Sequence, residues 1–300
     1  MAKPKIVVVG SSNTDMVVKT ERIPAPGETV IGGDFVIAAG GKGANQAVAA
    51  ARLGADVTLV ARVGSDLFGD KSVENFKREG IDTDFVVRDP DAPSGVALIF
   101  VDRRGENSIV VAPGSNARLS PDDVDKAAEL IRTADALVMQ LEAPMETVAR
   151  AAEIAHGAGA LVILNPAPAG VVPQATLAKV DVLIPNESEA AQLAALDTRD
   201  EEELGRALLG AGVKSVIVTL GSKGALLVQR SGSRRFAAPK VDAVDTTAAG
   251  DSFTGALACA LAEGRKMADA IAFATAAAAI SVTRMGAQPS LPRRDEIGEQ

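Results

Sequence analysis

The chain has 300 residues, 47% of them hydrophobic and 23% charged, which is the composition of a globular protein and excludes an intrinsically disordered one. The net charge of −8 and the absence of Trp and Tyr argue against non-specific binding to nucleic acid or to anionic membranes. A single Cys excludes an intrachain disulfide, and a single His excludes a metal site built from several histidines.

The apolar run near the start of the sequence, Ile6–Val9, is too short for the core of a signal peptide. No stretch reaches the ~18 consecutive apolar residues that a membrane-spanning helix needs. We therefore expect a cytoplasmic protein with neither a membrane nor a nucleic acid as partner. Since the only histidine, His156, lies at the end of a predicted helix, acid–base chemistry is expected from Asp, Glu or Lys.

Short runs of Val, Ile and Leu alternate with Ala-rich helical stretches. The predicted strands are Ile6–Val9, Val57–Ala61, Ala136–Leu141, Leu161–Leu164, Val182–Ile184, Val216–Leu220 and Ala225–Val228. The predicted helices include Gly43–Leu53, Leu67–Glu79, Asp122–Arg132, Met145–Ala155 and Glu201–Gly210. Most of these strands are apolar throughout, so we expect an α/β fold with a doubly wound, mainly parallel sheet flanked by helices. Ligands of such folds bind at the carboxyl ends of the strands.

Two stretches, Met16–Ala38 and Phe85–Ala112, lack the period of a helix and consist of short strands separated by turns. We expect them to form a small β-sheet that projects from one α/β domain spanning residues 1–300, with lid segments at about 16–38 and 85–112. A small sheet gains stability by covering something, which favours a lid over a site, a contact with a second subunit, or both. Ordinary surface hairpins are the alternative.

The segment 40–46, GGKGANQ, lies at the start of a predicted helix, because small apolar residues follow at helical spacing. Lys42 would stand at the positive end of the helix dipole, where a cation is unfavourable for folding. A ligand-binding lysine beside free backbone N–H groups explains it better than an incidental one in a glycine-rich turn. The segment matches neither the P-loop nor the dinucleotide-binding fingerprint.

The segment 245–251, DTTAAGD, precedes another predicted helix. Small residues at 248–250 leave several backbone N–H groups able to face one anion. Asp251 lies beside this anion hole, and the helix dipole is expected to keep it ionised. A carboxylate next to an anion hole suits transfer of a phosphoryl group to a hydroxyl that the carboxylate orients. An ordinary capped helix explains Asp251 but not the run of small residues.

Polar residues follow several other predicted strands. Asn13 and Asp15 follow the first strand, and Glu142 follows the third. The segments 185–189 and 221–224 follow two more. Their shared position at strand ends indicates one site, although each alone is also explained by a capped helix start.

The segments GGKGANQA at 40–47, PNESE at 185–189 and DTTAAGD at 245–251 resemble the signature motifs of the ribokinase-type carbohydrate kinases. Other segments lie in the order of this family, including GSSNTD, PAPGETV, GVALIFV, MQLE, LNPAPA, TLGSKG and GAQPS. The resemblance implies a ribokinase-like fold and an ATP-dependent kinase that phosphorylates D-ribose at O5 in ribose catabolism. Another sugar or a nucleoside (deoxyribose, fructose or adenosine) stays open as the acceptor.

The resemblance also implies roles for individual residues. Asp251 would be the catalytic base, with an anion hole formed by Ala248, Ala249 and Gly250. The sugar would be held by Asn13, Asp15, Gly41, Lys42, Gly43, Asn45, Glu142 and Asp251. ATP would be held by Asn186, Thr219, Gly221, Ser222, Lys223, Gly224, Gly250 and Thr275. Thr275 stands where some relatives place a His against the nucleotide, which leaves the adenine contact open.

Two metal ions and a second subunit are implied as well. Glu189 would help to organise Mg²⁺ through water. A monovalent cation, usually K⁺, would be held by Asp245, Thr247, Ser281, Arg284, Gly286 and Ser290. The β lid would pair two subunits into a homodimer.

Two other classes of protein share part of this pattern. A non-catalytic sugar-binding protein would use Asn13, Asp15 and Lys42 but would have no use for an anion hole at 245–251. A Rossmann dehydrogenase would need its glycine-rich fingerprint directly after the first strand, where GSSN stands instead. Among kinases, the absence of Trp and Tyr argues against a nucleoside acceptor, and deoxyribose would leave a polar group at Asn13 or Asp15 unpaired.

Overall fold

The structure is a computed structural model that describes residues 3–298. Its strands are β1 (Lys5–Val9), β2 (Asn13–Lys19), β3 (Phe35–Gly40), β4 (Asp56–Gly64), β5 (Val86–Asp89), β6 (Gly95–Val101), β7 (Asn107–Ala112), β8 (Ala136–Met139), β9 (Leu161–Leu164), β10 (Val182–Leu183), β11 (Ser215–Thr219), β12 (Ala225–Gln229) and β13 (Gly232–Phe236). Its α-helices are α1 (Lys42–Arg52), α2 (Leu67–Arg78), α3 (Pro121–Lys126), α4 (Ala128–Thr133), α5 (Met145–Ala158), α6 (Gln174–Leu177), α7 (Glu187–Ala194), α8 (Glu201–Gly210), α9 (Ala249–Ala262) and α10 (Met267–Ser281). Within residues 3–298, no helix is long and apolar enough to cross a membrane.

The large sheet has the strand order β13-β12-β11-β10-β9-β8-β1-β4-β5. Neighbouring strands from β11 to β5 pair in parallel, and β12 and β13 are antiparallel at the opposite edge. The predicted doubly wound, mainly parallel sheet is therefore confirmed.

Side chains of the central strand β1 alternate between two cores. Ile6 and Val8 pack in the core that contains α1, α9 and α10. Val7 and Val9 pack in the core on the other face, with residues of α5 and α8. Burial of each such side chain stabilises the fold by about 1.5–3 kcal/mol, and burial on both faces explains why these strands are apolar throughout.

The small sheet has the order β3-β2-β6-β7, with β2 and β6 parallel and the outer strands antiparallel to them. It starts earlier than predicted, because Asn13 and Asp15 already belong to β2. These two residues therefore lie on the small sheet and not on a loop that follows β1. We call these four strands the lid.

One predicted lid strand belongs elsewhere. Val86–Asp89 pairs in parallel with β4 and forms the edge of the large sheet, so the lid segment predicted at 85–112 is wrong over these residues. The physical reason is burial, since Val86 belongs to the apolar core on one face of the large sheet. The predicted helix Asp122–Arg132 is likewise divided, into α3 and α4, at Ala127.

Candidate active site

Glycines bring the N-terminus of α1 against the connection between β1 and β2. Gly41 has φ 89°, and a Cβ there would lie 2.6 Å from the backbone nitrogen of Asn13. A Cβ on Gly43 would lie 2.5 Å from the nitrogen of Ser11. Only glycine fits at both positions, and this close approach places Lys42 beside the residues that follow β1.

Glu142 connects three segments at this point. Its Oε2 accepts hydrogen bonds from the backbone N–H of Lys42 at 3.0 Å and from Ser11 Oγ at 2.5 Å. The Ser11 hydroxyl lies 3.3 Å from the backbone nitrogen of Gly43, which donates to it. The carboxylate thus neutralises part of the positive end of α1, where no acidic residue lies within the first turn.

Four carboxyl groups surround Lys42. Burial alone would lower the pKa of Lys42, but the charges of Asp251, Glu142, Glu189 and Asp15 raise it, and the net change is upward. Burial, with the charges of Glu142 and Asp251, raises the pKa of Asp15 to about 6. Burial also raises the pKa of Glu189. With one lysine among four acidic groups, the cluster has more hydrogen-bond acceptors than donors. It is therefore suited to bind hydroxyl groups, which donate.

The turn that begins α9 carries free backbone donors. Within residues 3–298, the N–H groups of Ala248, Gly250 and Asp251 have no acceptor in the protein. Ala249 differs from the prediction, because its N–H donates to the carbonyl of Thr246 at 3.2 Å. Ala248 has φ 59°, a left-handed conformation that costs about 1–2 kcal/mol for an alanine. Such strain is common where the backbone must face a ligand.

The side chain of Asp251 is almost completely buried, at 5% exposure. Its Oδ2 accepts from Asn45 Nδ2 and its Oδ1 from Gln46 Nε2, each at 2.9 Å. Burial raises the pKa of Asp251, although Lys42 and the two amides oppose this change. The helix dipole by itself would lower this pKa, and desolvation of the buried carboxylate outweighs it.

Sequence reasoning missed several amides that hold the predicted site residues. Asn116 donates from Nδ2 to Asn13 Oδ1 at 2.8 Å and accepts from the backbone N–H of Ser12 at 2.9 Å. Gln46 contacts Asp251 directly, and the available signal was its position one residue after Asn45 in GANQA. Asn116 gave no signal of this kind.

Several of the predicted nucleotide-binding residues lie at the ends of β10 and β11. A bridge joins Thr219, at the end of β11, to Asn186. Gly224 has φ 98°, and a Cβ there would lie 1.9 Å from the carbonyl oxygen of Phe236. This approach brings the 219–224 turn close to a cleft of about 300 Å³, whose lining residues are Phe236, Ala237, Ala238, Pro239, Ala272 and Thr275. The Thr275 hydroxyl donates to the carbonyl of Ile271 at 2.7 Å.

The PNESE segment forms a helix cap. Asn186 Oδ1 accepts from the backbone N–H of Glu189 at 2.8 Å, and Glu189 Oε2 accepts from the N–H of Asn186 at 2.9 Å. The alternative explanation of this segment, a capped helix start, therefore accounts for part of its sequence. The charges of Lys42 and Asp251 both act on Glu189, so the cap also faces the charged cluster. Lys223 Nζ lies 3.7 Å from the Glu187 carboxylate, at the start of the same helix.

Asp245 ties the turn before α9 to the segment after α10. Its Oδ1 accepts from the N–H and hydroxyl of Thr247, at 2.9 and 2.6 Å, and its Oδ2 accepts from the N–H of Gly286 at 2.8 Å. Burial raises the pKa of Asp245, but these donors lower it more. The hydroxyls of Ser281 and Ser290 donate to the backbone carbonyls of Ala278 and Ala287, and the Arg284 guanidinium pairs with Glu296.

The model of the family described as pfkB family carbohydrate kinase matches residues 3–294. The chain belongs to the pfkB family of carbohydrate kinases. A ribokinase of Haemophilus influenzae is 44% identical over 297 residues, covering 98% of this chain and 97% of that protein. A deoxyribokinase of Salmonella typhi is 40% identical over 298 residues, with 98% and 97% covered. The structure of Arabidopsis thaliana ribokinase complexed with ribose and ATP has a TM-score of 0.90 at 35% identity, covering 99% of this chain and 98% of that one.

These matches confirm the predicted family, fold and sugar-kinase activity of this pfkB kinase. Its structure brings Asp15, Lys42, Asn45, Glu142 and Asp251 into one charged cluster. The individual roles assigned to these residues stay predictions.

Proposed function

We propose that this pfkB kinase transfers the γ-phosphoryl group of ATP to O5 of D-ribose and produces D-ribose 5-phosphate. The observation that carries the proposal is the buried Asp251 carboxylate beside two free backbone N–H groups at the start of α9. The ribokinases among its relatives, one of them solved with ribose and ATP, support ribose as the acceptor.

The sugar is expected between the lid and α1. Asn13 and Asp15 would approach it from β2, and Lys42 and Asn45 from α1. Within the described chain, Asn45 Oδ1 is buried without a hydrogen-bond partner. A buried acceptor of this kind is costly unless a ligand supplies a donor, and a sugar hydroxyl would do so. Gly41, Gly43 and Glu142 would complete this side.

The reaction would begin with O5 of the sugar directed at the γ-phosphorus. Asp251 accepts the O5 proton, the new P–O bond forms, and the P–O bond to the leaving ADP breaks. The raised pKa of Asp251 makes its carboxylate a better proton acceptor near neutral pH than an ordinary Asp. The N–H groups of Gly250 and Asp251 would face the negative charge on the transferred phosphoryl group.

ATP would lie along Asn186, the 219–224 turn and the cleft beside Thr275. The apolar walls of that cleft suit an adenine ring. Thr275 can offer its methyl group and a lone pair, since its hydroxyl proton is bonded to the helix backbone. Within residues 3–298, no three His, Cys, Asp or Glu side chains converge as a metal site. Mg²⁺ would therefore be held mainly by the ATP phosphates and by water, with Glu189 as an indirect partner.

A potassium ion would fit beside Asp245. The proposed donors have a low total charge and are mostly neutral oxygens, which suits a monovalent cation. They are the Asp245 carboxylate with Thr247, Ser281, Arg284, Gly286 and Ser290. Bound there, it would add positive potential beneath the anion hole. The protein's own contribution is the Asp245 carboxylate, which already orders the 245–247 turn through two hydrogen bonds and joins it to Gly286 through a third.

The lid would join two subunits into a homodimer. Strand alternation puts Met16, Phe35, Ile37, Leu98 and Val110 on the face opposite Asp15. Phe35 is 57% exposed and Val110 64% exposed in the single chain. A contiguous apolar face of this kind is typical of an interface between proteins. We further propose that the chain is one domain with this lid and that it acts in the cytoplasm.

A coupled assay of ADP release tests the proposed activity. Purified protein with Mg-ATP is supplied with ribose, deoxyribose, fructose or adenosine, in potassium or in tetramethylammonium at constant ionic strength. Ribose is expected to give the highest kcat/KM. Deoxyribose is the specific competitor, because one relative of this chain is a deoxyribokinase. A preference for deoxyribose would make that sugar, and not ribose, the proposed acceptor. An absence of turnover with every acceptor would refute the kinase assignment.

A further inference from the structure

A chain of buried amides holds the Asp251 carboxylate. Gln46, on α1, donates from Nε2 to Asp251 Oδ1 at 2.9 Å and to Asn165 Oδ1 at 3.1 Å. Gln140, directly after β8, donates from Nε2 to Gln46 Oε1 at 2.6 Å. Gln46 and Gln140 are fully buried, so these hydrogen bonds do not exchange with bulk water.

A backbone carbonyl sets the direction of every amide in this chain. Asn165 Nδ2 donates to the carbonyl of Ile184 at 2.8 Å, and a carbonyl can only accept. Asn165 must therefore turn its Oδ1 toward Gln46, and Gln46 must present its NH₂ group. Both N–H bonds of that group are then used, one on Asn165 and one on Asp251, and Gln46 Oε1 is left to accept from Gln140.

Gln140 occupies its position at a cost to stability. Its Oε1 is buried and has no hydrogen-bond partner within residues 3–298. A buried amide oxygen without a partner is destabilising, so an apolar side chain would serve the fold better. The end of β1 nevertheless leaves room for it, since a Cβ on Gly10 would lie 2.1 Å from this oxygen. The hydrogen bond to Gln46 is the benefit that offsets this cost.

The two oxygens of Asp251 are held differently. Oδ1 faces Gln46, whose amide is fixed by Asn165 and Gln140. Oδ2 faces Asn45, whose own Oδ1 has no partner within the described chain and is available to a ligand. Asn45 can therefore exchange its contact for one with a sugar, whereas Gln46 cannot.

We propose that Gln46 is a positioning residue that holds Oδ1 of Asp251 and directs Oδ2 to the acceptor hydroxyl, and that Gln140 keeps Gln46 in the required orientation. This inference rests on the proposed kinase function. As the hydroxyl O–H bond breaks, the new O–H bond forms on Oδ2 after Asn45 has released that oxygen, because the fixed Gln46 donor stays on Oδ1. The acceptor oxygen bonds to phosphorus, and ADP leaves with the electron pair of the broken P–O bond.

Two substitutions test this chain. Gln46→Met removes the donor to Asp251, and Gln140→Leu removes the donor to Gln46 without touching Asp251. Misplacement of a catalytic group can reduce a rate by about 10²-fold, so kcat is expected to fall about 100-fold in Gln46→Met and about 10-fold in Gln140→Leu. The KM values for sugar and ATP are expected to stay within about twofold, because neither side chain is placed against a substrate. Gln229→Leu is the matched control, since Gln229 bonds Ser215 at the far edge of the sheet.

The pH dependence separates positioning from a purely structural role. Loss of the Gln46 donor destabilises the Asp251 carboxylate, so the acidic limb of the kcat profile moves to higher pH in Gln46→Met. Unchanged kcat in folded Gln46→Met and Gln140→Leu, or a lower kcat with an unmoved acidic limb, would overturn the inference. If Gln46→Met does not fold, the kcat of Gln140→Leu decides.

Failure of the kinase assignment would be seen separately, as a wild-type protein that turns over no acceptor. In that case the amide chain is tested without activity, by following the ¹³C carboxyl shift of Asp251 against pH. Gln46→Met must raise the carboxyl pKa relative to the wild type and to Gln229→Leu. An unchanged pKa would refute the positioning role.

Discussion

Replacing Asp15 with Asn is expected to stabilise the sugar-free protein while impairing its activity. Asp15 lies against Glu142 and Asp251, and burial with these two charges raises its pKa from 3.8 to about 6. A shift of about 2 units corresponds to about 3 kcal/mol at neutral pH. Because the side chain is only partly buried, solvent screening reduces the expected gain to about 1–2 kcal/mol.

The sign of the pH dependence follows from which state holds the proton. Between pH 3.8 and about 6, the folded protein keeps a proton on Asp15 that the unfolded chain has released. The contribution of Asp15 to stability therefore falls as the pH rises through this window, and the full cost is present above it. The advantage of Asp15→Asn should consequently be greatest above pH 7 and should disappear toward pH 4.

Calorimetry without sugar measures the effect. For a chain of this size, a gain of about 1–2 kcal/mol raises the Tm by about 2–3 °C at pH 7.5. Asp34→Asn, at an exposed carboxyl between β2 and β3, is the matched control and should leave the Tm unchanged. In the assay, Asp15→Asn should raise the KM for ribose. A Tm at or below that of the wild type at pH 7.5, or a gain that persists at pH 4, would refute the reasoning.

Four further outcomes are expected. Asp251→Asn should fold and lose about 10²–10⁴-fold in sugar-dependent turnover, and near-normal turnover would exclude it as the base. Asp245→Ala should flatten the rise of activity with potassium, and equal rates of the wild type in potassium and tetramethylammonium would exclude the cation site. Ile37→Asp should convert a dimer to a monomer in light scattering, whereas a monomeric wild type at micromolar concentration contradicts the interface. Gly255→Ala should destabilise the protein by about 1–3 kcal/mol in urea unfolding, because its Cβ would lie 2.6 Å from Ala49 Cβ, and unchanged stability would contradict this packing.

The sequence by itself determined the secondary structure wherever the signal was local. Leu161–Leu164 and Glu201–Gly210 begin and end where the apolar run and the helical period predicted. The glycines at 40–43 and the small residues at 248–250 pointed correctly to two helix N-termini. These features depend on spacing within about ten residues, which a single sequence displays directly.

Pairing between distant segments was decided by the tertiary structure. The sequence of Val86–Asp89 is compatible with a lid strand. It nevertheless belongs to the large sheet, because it pairs with β4 and Val86 is buried in the core. The spacing around Asn13 likewise suggested a loop after β1, whereas pairing with β3 and β6 makes it the first residue of the lid. A short strand fits either sheet, and only the packing of its faces selects one.

The pKa shifts of the site residues could also not be predicted from the sequence. Asp251 was identified from its local motif, but its pKa follows from burial and from Lys42, Asn45 and Gln46, about two hundred residues earlier in the chain. The helix dipole was the only influence visible locally, and it has the opposite sign. A pKa depends on which charges and amides lie within a few ångströms, and folding alone brings Gln46, Gln140 and Asn165 to this carboxylate.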